Sequence, residues 1–367
     1  MKFFFVLFLV PSLLYAQNSK TFKIIGNSSF YNNQNLFIQA GVFPDTYKYN
    51  DFNFENDKVG TSNNPYKLVQ IQNKQFTING FQKYPHPFSV SYYDAEKNMG
   101  NNSDFFFIDG DTENIEINDL SINRNLGNQL NSKSNKEYRY LKKLYSNSVD
   151  TLSGIIHNLK AKQKTMQKYI TQNPNSYVAL WDMVIDYAIN KIYKNDYDKK
   201  SLLKNAQLLS PKIKKTNTYQ ALVKNINQDL ALGINKKLPN ASLALENDIN
   251  TIVKKNQFTL IDFWFSFCKP CIAQLPSLKK TYDLYHDKHF EIIAISVDQK
   301  ADEGDWQKII NKFNLEWKQY LDTNELLSQK YNITIFPSNF LMDKNGKIIK
   351  KDISPEDLES FLQKNLN

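Results

Sequence analysis

The sequence predicts a C-terminal α/β domain, preceded by an antiparallel β domain and a helical connector. Three observations carry this. Short β-prone runs, broken by Asn, Gly, Asp and Pro, recur from residue 21 to about residue 118. From about 131 to 235 the apolar positions are instead spaced three and four apart, and long β-branched runs are absent. From residue 242 onward buried-type strands alternate with helical stretches, the order that builds a sheet with helices on both faces.

With 367 residues the chain is too long for one ordinary core and long enough for two or three domains. Hydrophobic content of 41% and charged content of 23% exclude a wholly disordered or fibrous chain. The start of the chain is different in kind. Met1-Lys2 precedes an apolar run over 3–14, then Tyr15-Ala16 and polar Gln17. A basic start, an apolar stretch and a small residue at the cut describe a secretory signal peptide over 1–16, although Leu14 is a mediocre residue three places before that cut. The run falls short of the roughly 20 residues a membrane span needs, and no cysteine follows it to carry a lipid. The expectation is an exported protein of the periplasm or cell envelope, with no transmembrane segment after signal removal. The remaining boundaries are expected at 17–129 for the β domain, 130–235 for the helical segment and 236–367 for the α/β domain.

In the β domain the strand-like runs are 22–25, 36–40, 68–71, 76–78, 88–93, 105–108 and 115–117, which points to a small antiparallel sandwich or barrel. No His, Cys or carboxylate cluster there has a ligand or catalytic spacing. His86, held between Pro85 and Pro87, reads as a loop residue and not as a ligand. In the helical segment Pro174 and Asn175-Ser176 mark a helix start ahead of the apolar positions from Tyr177 to Ile185, and those aromatic and Met positions read as core.

The net charge of +9 invites a nucleic acid or membrane partner, but its distribution does not support one. Residues 236–367 carry 18 cationic and 18 acidic side chains, residues 17–129 carry 9 and 12, and residues 130–235 carry 18 and 7. The surplus is interspersed with Asn and Gln along the helices, as on solvated helix faces, so no nucleic-acid partner is expected.

Within the last third, residues 258–264 read as a buried strand and 290–297 as a second. Helices are expected from Cys268 to about His286, over 304–313 and over 324–330. Residues 339–342 form a strand, 343–346 a hairpin turn and 348–349 its return, and Ser354-Pro355 opens a last helix. The chain has only two cysteines, both in the unit Cys268-Lys269-Pro270-Cys271 at a strand-to-helix junction. Cys268 at a helix N-terminus meets the positive end of the helix dipole, with Lys269 beside it, so its thiolate is stabilised relative to a free cysteine at about 8.5. Cys271, one turn on and expected to be the more buried, can attack a mixed disulfide formed on Cys268. That cycle needs no metal and no organic cofactor.

Residues 262–271, Asp-Phe-Trp-Phe-Ser-Phe-Cys-Lys-Pro-Cys, resemble the thioredoxin active-site signature. Pro276 matches the proline inside the family's active-site helix. Ile335-Phe336-Pro337 matches the loop that holds its cis-proline beside the cysteines. With a βαβ-like insert between the cysteines and Pro337, the segment is most similar to the TlpA/ResA-like envelope branch of the thioredoxin superfamily. The resemblance implies a thioredoxin-like fold for 236–367 and a thiol-disulfide oxidoreductase; reduction of protein disulfides is the expectation, while the choice between reducing, oxidising and isomerising depends on reduction potential and partners. It implies substrate proteins and an unidentified envelope redox partner. Asp262 falls where thioredoxins carry a buried acid that assists proton transfer to the resolving thiol. Alternation along its strand places Asp262 on the face of Leu260 and Trp264. The implied site is therefore Cys268, Cys271, Asp262 and Pro337. Two positions depart from the pattern: Phe267 replaces the usual tryptophan before the first cysteine, and Gln274 stands where many envelope reductases have Glu. The front of the chain resembles, more weakly, the β domain and connector that precede thioredoxin modules in envelope proteins; the parts that carry this are residues 76–81 and 105–110.

Other readings fit less well. A purely structural disulfide between residues three apart restrains little chain entropy. Zinc or copper needs more ligands, and His286 and His289 lie about four helical turns beyond Cys271 and read as surface residues. A peroxiredoxin wants Thr three places before its reactive cysteine, where this chain has Phe265. The competing class is an envelope ligand- or protein-binding module on a non-catalytic thioredoxin scaffold, against which the intact cysteine pair and Pro337 argue.

Overall fold

A computed structural model describes residues 20–41, 51–55, 66–94, 99–148, 155–195, 197–243 and 247–366; the expected signal segment lies outside them. The chain divides into two compact units, Met1–Val223 and Lys224–Asn367, and the division falls within a helix. Among the described residues no helix is long and apolar enough to cross a membrane.

The first unit begins with two β-sheets that share one apolar core. One sheet has the order β3-β5-β1-β9, from β1 (Lys20–Asn27), β3 (Phe52–Phe54), β5 (Gln75–Gln82) and β9 (Asp111–Glu116). The other has the order β4-β2-β6-β7, from β2 (Asn35–Ala40), β4 (Tyr66–Gln70), β6 (His86–Asp94) and β7 (Met99–Asn102), with β8 (Phe106–Ile108) also paired to β6. Strict alternation in β5 turns Phe76 and Ile78 inward. There they join Phe22, Ile24, Leu36, Ile38, Phe88 and Val90 from neighbouring strands. The domain is antiparallel as expected, with one exception, the parallel pairing of β1 with β9. The chain between them passes through the second sheet, and such a long return lets β9 run either way.

His86 needs a correction. It is no loop residue: it opens β6, pairs with Ile108 and is fully buried. Its Nδ1 lies 2.7 Å from the Tyr84 carbonyl oxygen, and its ring lies between those of Tyr84 (4.8 Å) and Trp181 (5.1 Å). The flanking prolines suggested a loop, but a proline is tolerated in a strand where the ladder does not require its N–H.

Among the described residues six α-helices follow: α1 (Lys133–Ser148), α2 (Ile155–Gln172), α3 (Tyr177–Ile192), α4 (Lys199–Gln207), α5 (Pro211–Lys214) and α6 (Asn217–Ala231). Ser176 caps α3 by accepting the Ala179 N–H at 2.8 Å. Most of α3 is buried, including Val178, Trp181, Met183 and Val184. Basic side chains such as Lys143, Lys204 and Lys212 face solvent. Lys162 does not: it reaches inward to Asp182 and Asp186 of α3.

The second unit is built on a five-stranded sheet of order β14-β13-β12-β15-β16. Its strands are β12 (Phe258–Trp264), β13 (Phe290–Ser296), β14 (Lys318–Leu321), β15 (Ser338–Asp343) and β16 (Ile348–Lys351). Short strands β10 (Ser242–Leu243) and β11 (Asn247–Asp248) and helix α7 (Ile249–Val253) precede it. Helices α8 (Lys269–Tyr285), α9 (Glu303–Phe313), α10 (Leu326–Lys330) and α11 (Pro355–Leu366) complete it. β12 runs parallel to β13 and antiparallel to β15. Every residue of β12 and β13 is buried, as in central strands covered on both faces. On one face Leu260, Trp264, Ile292 and Ala294 pack with α8, α9 and α11. On the other, Ile261, Phe263, Ile293 and Ile295 pack with α7 and α10. This is a thioredoxin-like α/β fold.

Candidate active site

The site lies where β12 ends and α8 begins. β12 is pinned on both sides, so the chain leaves it at a fixed place and direction and turns through residues 265–267. The Cys268 N–H closes that turn on the Phe265 carbonyl at 3.0 Å. Cys268 is the N-cap of α8, with extended backbone, and its Sγ accepts the Cys271 N–H at 3.2 Å. A sulfur in that position meets an otherwise unpaired helical N–H and the positive end of the helix dipole, the environment that stabilises a thiolate. Pro270 occupies the first turn, where a missing N–H costs nothing. Pro276 lies inside the helix and removes the bond that would return to the Ile272 carbonyl.

Cys268 and Cys271 are joined as a disulfide, with Cα atoms 5.2 Å apart. In the disulfide both cysteines are buried, Cys268 to 4% and Cys271 to 3% exposure. A bond between residues one turn apart puts both sulfurs on the same face, under the same side chains. Lys269, Pro270 and Phe267 are exposed around them, Phe267 to 61%. Gln274 is half-buried, and His286 and His289 are exposed beyond the helix end.

Asp262 is 5% exposed and sits in the middle of the sheet, opposite Ala294 on one side and Asn339 on the other. Its neighbours at two-residue spacing, Leu260 and Trp264, belong to the same apolar cluster as Cys268 and Cys271. Alternation therefore puts its carboxyl on the cysteine side of the sheet. Pro337 follows a cis Phe336–Pro337 peptide bond. The next residue, Ser338, opens β15 opposite Phe263, and the Phe336 ring meets that of Phe265 at 5.3 Å. The proline segment thus lies at the end of β12, beside the turn that leads into Cys268.

A further side chain belongs to this neighbourhood and was missed from sequence. Asp298, just beyond β13, is 4% exposed. Its carboxylate accepts the Ser266 N–H at 2.9 Å, the Ser266 hydroxyl at 2.7 Å and the Ser296 hydroxyl at 2.6 Å. The available signal was a lone acid closing the apolar run 290–297, which reads equally well as a solvated strand end.

Comparison with known proteins agrees with this geometry. A family profile described as Redoxin matches residues 234–365. The thiol-disulfide oxidoreductase ResA of Bacillus cereus is 31% identical over 113 residues, 30% of this chain and 64% of that protein. The sporulation thiol-disulfide oxidoreductase A of Bacillus subtilis is 28% identical over 118 residues, 32% of this chain and 72% of that protein. The chain thus spans a little under two thirds of the ResA proteins it matches. The crystal structure of the thioredoxin domain of a thiol-disulfide oxidoreductase from Bacteroides vulgatus is similar, with 31% identity and a TM-score of 0.34, covering 37% of this chain and 99% of that one. Fold, cysteine unit and sequence matches agree: through its C-terminal domain the chain belongs to the thioredoxin superfamily, in its TlpA/ResA-like branch.

Proposed function

We propose that the protein is an exported thiol-disulfide oxidoreductase that reduces protein disulfides through a dithiol/disulfide cycle of Cys268 and Cys271. The observation that carries this reading is Cys268 at the N-cap of α8, its sulfur on the Cys271 amide and its partner cysteine within bonding reach. In the reduced enzyme the Cys268 thiolate attacks a substrate disulfide, forms a mixed disulfide and expels one substrate sulfur as a thiolate, which takes up a proton. Cys271 then gives its proton to Asp262 and attacks the Cys268 sulfur. The second substrate thiolate leaves, two electrons have passed to the substrate, and the enzyme holds the Cys268–Cys271 disulfide. An envelope dithiol donor returns it to the reduced form. Pro337, at the edge of the site, lines the place where the substrate chain approaches.

Export rests on the N-terminal pattern over residues 1–16. The similarity to the thiol-disulfide oxidoreductase ResA of Bacillus cereus and to the sporulation thiol-disulfide oxidoreductase A of Bacillus subtilis supports the reaction class. The test compares catalysed reduction of a protein disulfide by the wild type, Cys268→Ser and Asp262→Asn, each purified from the envelope fraction, where the mature chain should begin at Gln17. Cys268→Ser should be inactive. Asp262→Asn should form the mixed disulfide at the wild-type rate and release it about 100-fold more slowly, the low end for loss of a general base. Wild-type activity no higher than that of Cys268→Ser would leave the binding-module reading in its place, and equal mixed-disulfide lifetimes would remove Asp262 from the mechanism.

A further inference from the structure

Cys268 can hold its sulfur on the Cys271 amide only if the turn before it is rigid. Residues 265–267 belong to neither β12 nor α8, and Phe267 in their midst is exposed to 61%. Two groups of anchors hold them. The Cys268 N–H bonds back to the Phe265 carbonyl, and the Val297 N–H reaches across from the neighbouring strand to the Trp264 carbonyl. The stronger anchor is Asp298, which takes both the N–H and the hydroxyl of Ser266, two residues before the nucleophile. The same carboxylate accepts the Ser296 hydroxyl, and that hydroxyl oxygen accepts the Asp298 N–H at 3.1 Å. Asp298 is thereby fastened to the end of β13. Hydrogen bonds to a buried carboxylate are roughly twice as strong as neutral ones, and this carboxylate is almost fully removed from water.

We propose that Asp298 is a positioning residue for the oxidoreductase reaction: by clamping Ser266 to the end of β13 it holds Cys268 in the N-cap geometry that makes its thiolate accessible near neutral pH. The clamp acts on the position of the sulfur and not through its charge, and the two actions have opposite signs. A buried anion near Cys268 disfavours the thiolate, so neutralising it would make Cys268 more acidic. Loosening the turn lets the sulfur leave the Cys271 amide and makes Cys268 less acidic. The elements that meet here also carry Asp262 on β12, Glu291 on β13 and Lys269, Lys279, Lys280 and Asp283 on α8, and all of them are unchanged in sequence when Asp298 is replaced.

The inference rests on the oxidoreductase reading, and the experiment separates the two. The full-length protein is reduced, and alkylation of Cys268 by iodoacetamide is followed by peptide mass spectrometry from pH 4 to 10 in the wild type, Asp298→Asn and Ser266→Ala, with a thermal melt of each. A wild-type midpoint at or above that of a free cysteine would count against the oxidoreductase reading. The clamp is judged only by the variants' displacement from wild type. The expected result is an upward displacement in Asp298→Asn, with alkylation below the midpoint slowed about fivefold, the factor that accompanies loss of one capping contact. Ser266→Ala, which keeps the backbone bond to Asp298, should move the same way by less. A midpoint unchanged while the melting temperature falls would mean that Asp298 is merely structural, and a downward displacement would mean that its charge dominates. Either overturns the proposal. Should Asp298→Asn fail to fold, a folded Ser266→Ala with an unmoved midpoint overturns it equally.

Discussion

His86 is enclosed by the rings of Tyr84, Phe52 and Trp181 and bonded to the Tyr84 carbonyl, a site in which burial outweighs what favours a positive charge. Burial lowers its pKa from 6.5 to about 4, only partly countered by the hydrogen bond to Tyr84 and the charge of Asp51. The folded chain therefore refuses a proton that the unfolded chain accepts, and stability rises with pH across this interval. The contribution is fully present above pH 6.5 and is lost as the pH falls toward 4, by about 3 kcal/mol. Urea unfolding of the first unit at successive pH values should show this slope in the wild type. It should be missing in His86→Gln, which can still donate to the Tyr84 carbonyl but does not titrate. Parallel profiles for the two proteins would show that His86 already ionises in the folded state.

Between helices, the decisive contacts are those of Lys162 on α2 with two carboxylates of α3. Its Nζ lies 2.8 Å from Asp186 and 3.7 Å from Asp182, and the hydroxyls of Tyr145 and Tyr197 donate to Asp182 and Asp186 at 2.8 and 2.6 Å. Burial pushes the Lys162 pKa down, but the two carboxylates outweigh it and hold the pKa above its ordinary value. Burial raises that of Asp182, with Asp186 adding to the effect and Lys162 opposing it. Replacing such a group by a hydrocarbon does more than remove a contact, because it leaves two buried carboxylates without the cation that bridges them. Lys162→Met should cost about 3 kcal/mol at pH 7, toward the low end for breaking a buried pair, because the Lys162 side chain keeps 25% of its surface in water. Without Lys162 the raised pKa of Asp182 loses its main opposing charge and rises further, so the variant's folded state binds a proton that its unfolded state does not. Its deficit relative to wild type should shrink as the pH falls from 7 to 5. Denaturant titrations of both proteins at the two pH values test this, and a deficit that stays constant would rule out the carboxylates as its cause.

At the scale of the whole molecule, the second unit has a core of its own, and its charge from residue 236 onward is balanced. We expect it to fold alone, with a stability that depends on where the fragment starts. Leu232, 2% exposed, belongs to the core on the α7 side of the sheet, and the Asn332 side chain donates to Asp229 at 2.8 Å. A fragment of residues 224–367 keeps both, and a fragment of 236–367 loses both. Calorimetry should show a cooperative transition for each, with the shorter fragment less stable by about 2–4 kcal/mol, the cost of one buried leucine and one buried hydrogen bond. No cooperative transition in the longer fragment would mean that residues before 224 complete its core.

Much of the redox site was legible because its signal is local. A Cys-x-x-Cys unit after an apolar run and before a helical pattern puts Cys268 at a helix start whatever the rest of the fold does. The alternation of residues 258–264 turns Asp262 toward Trp264, and the order of strands and helices after 242 leaves few sheets to build. What the sequence could not decide depends on partners far away in the chain. The parallel pairing of β9 with β1 and the burial of His86 under Trp181 are settled by which strand or helix arrives alongside. So are the inward turn of Lys162 among otherwise solvated lysines and the grip of Asp298 on Ser266, 32 residues before it. By itself the sequence determined the alternation of elements, the helix starts and the place of the cysteine pair at one of them, because these follow from spacing along a few residues and from local backbone preference. Only the tertiary structure decided which polar side chains leave water and what they hold, because a buried charge is tolerable only where distant segments bring it hydrogen bonds or an opposite charge.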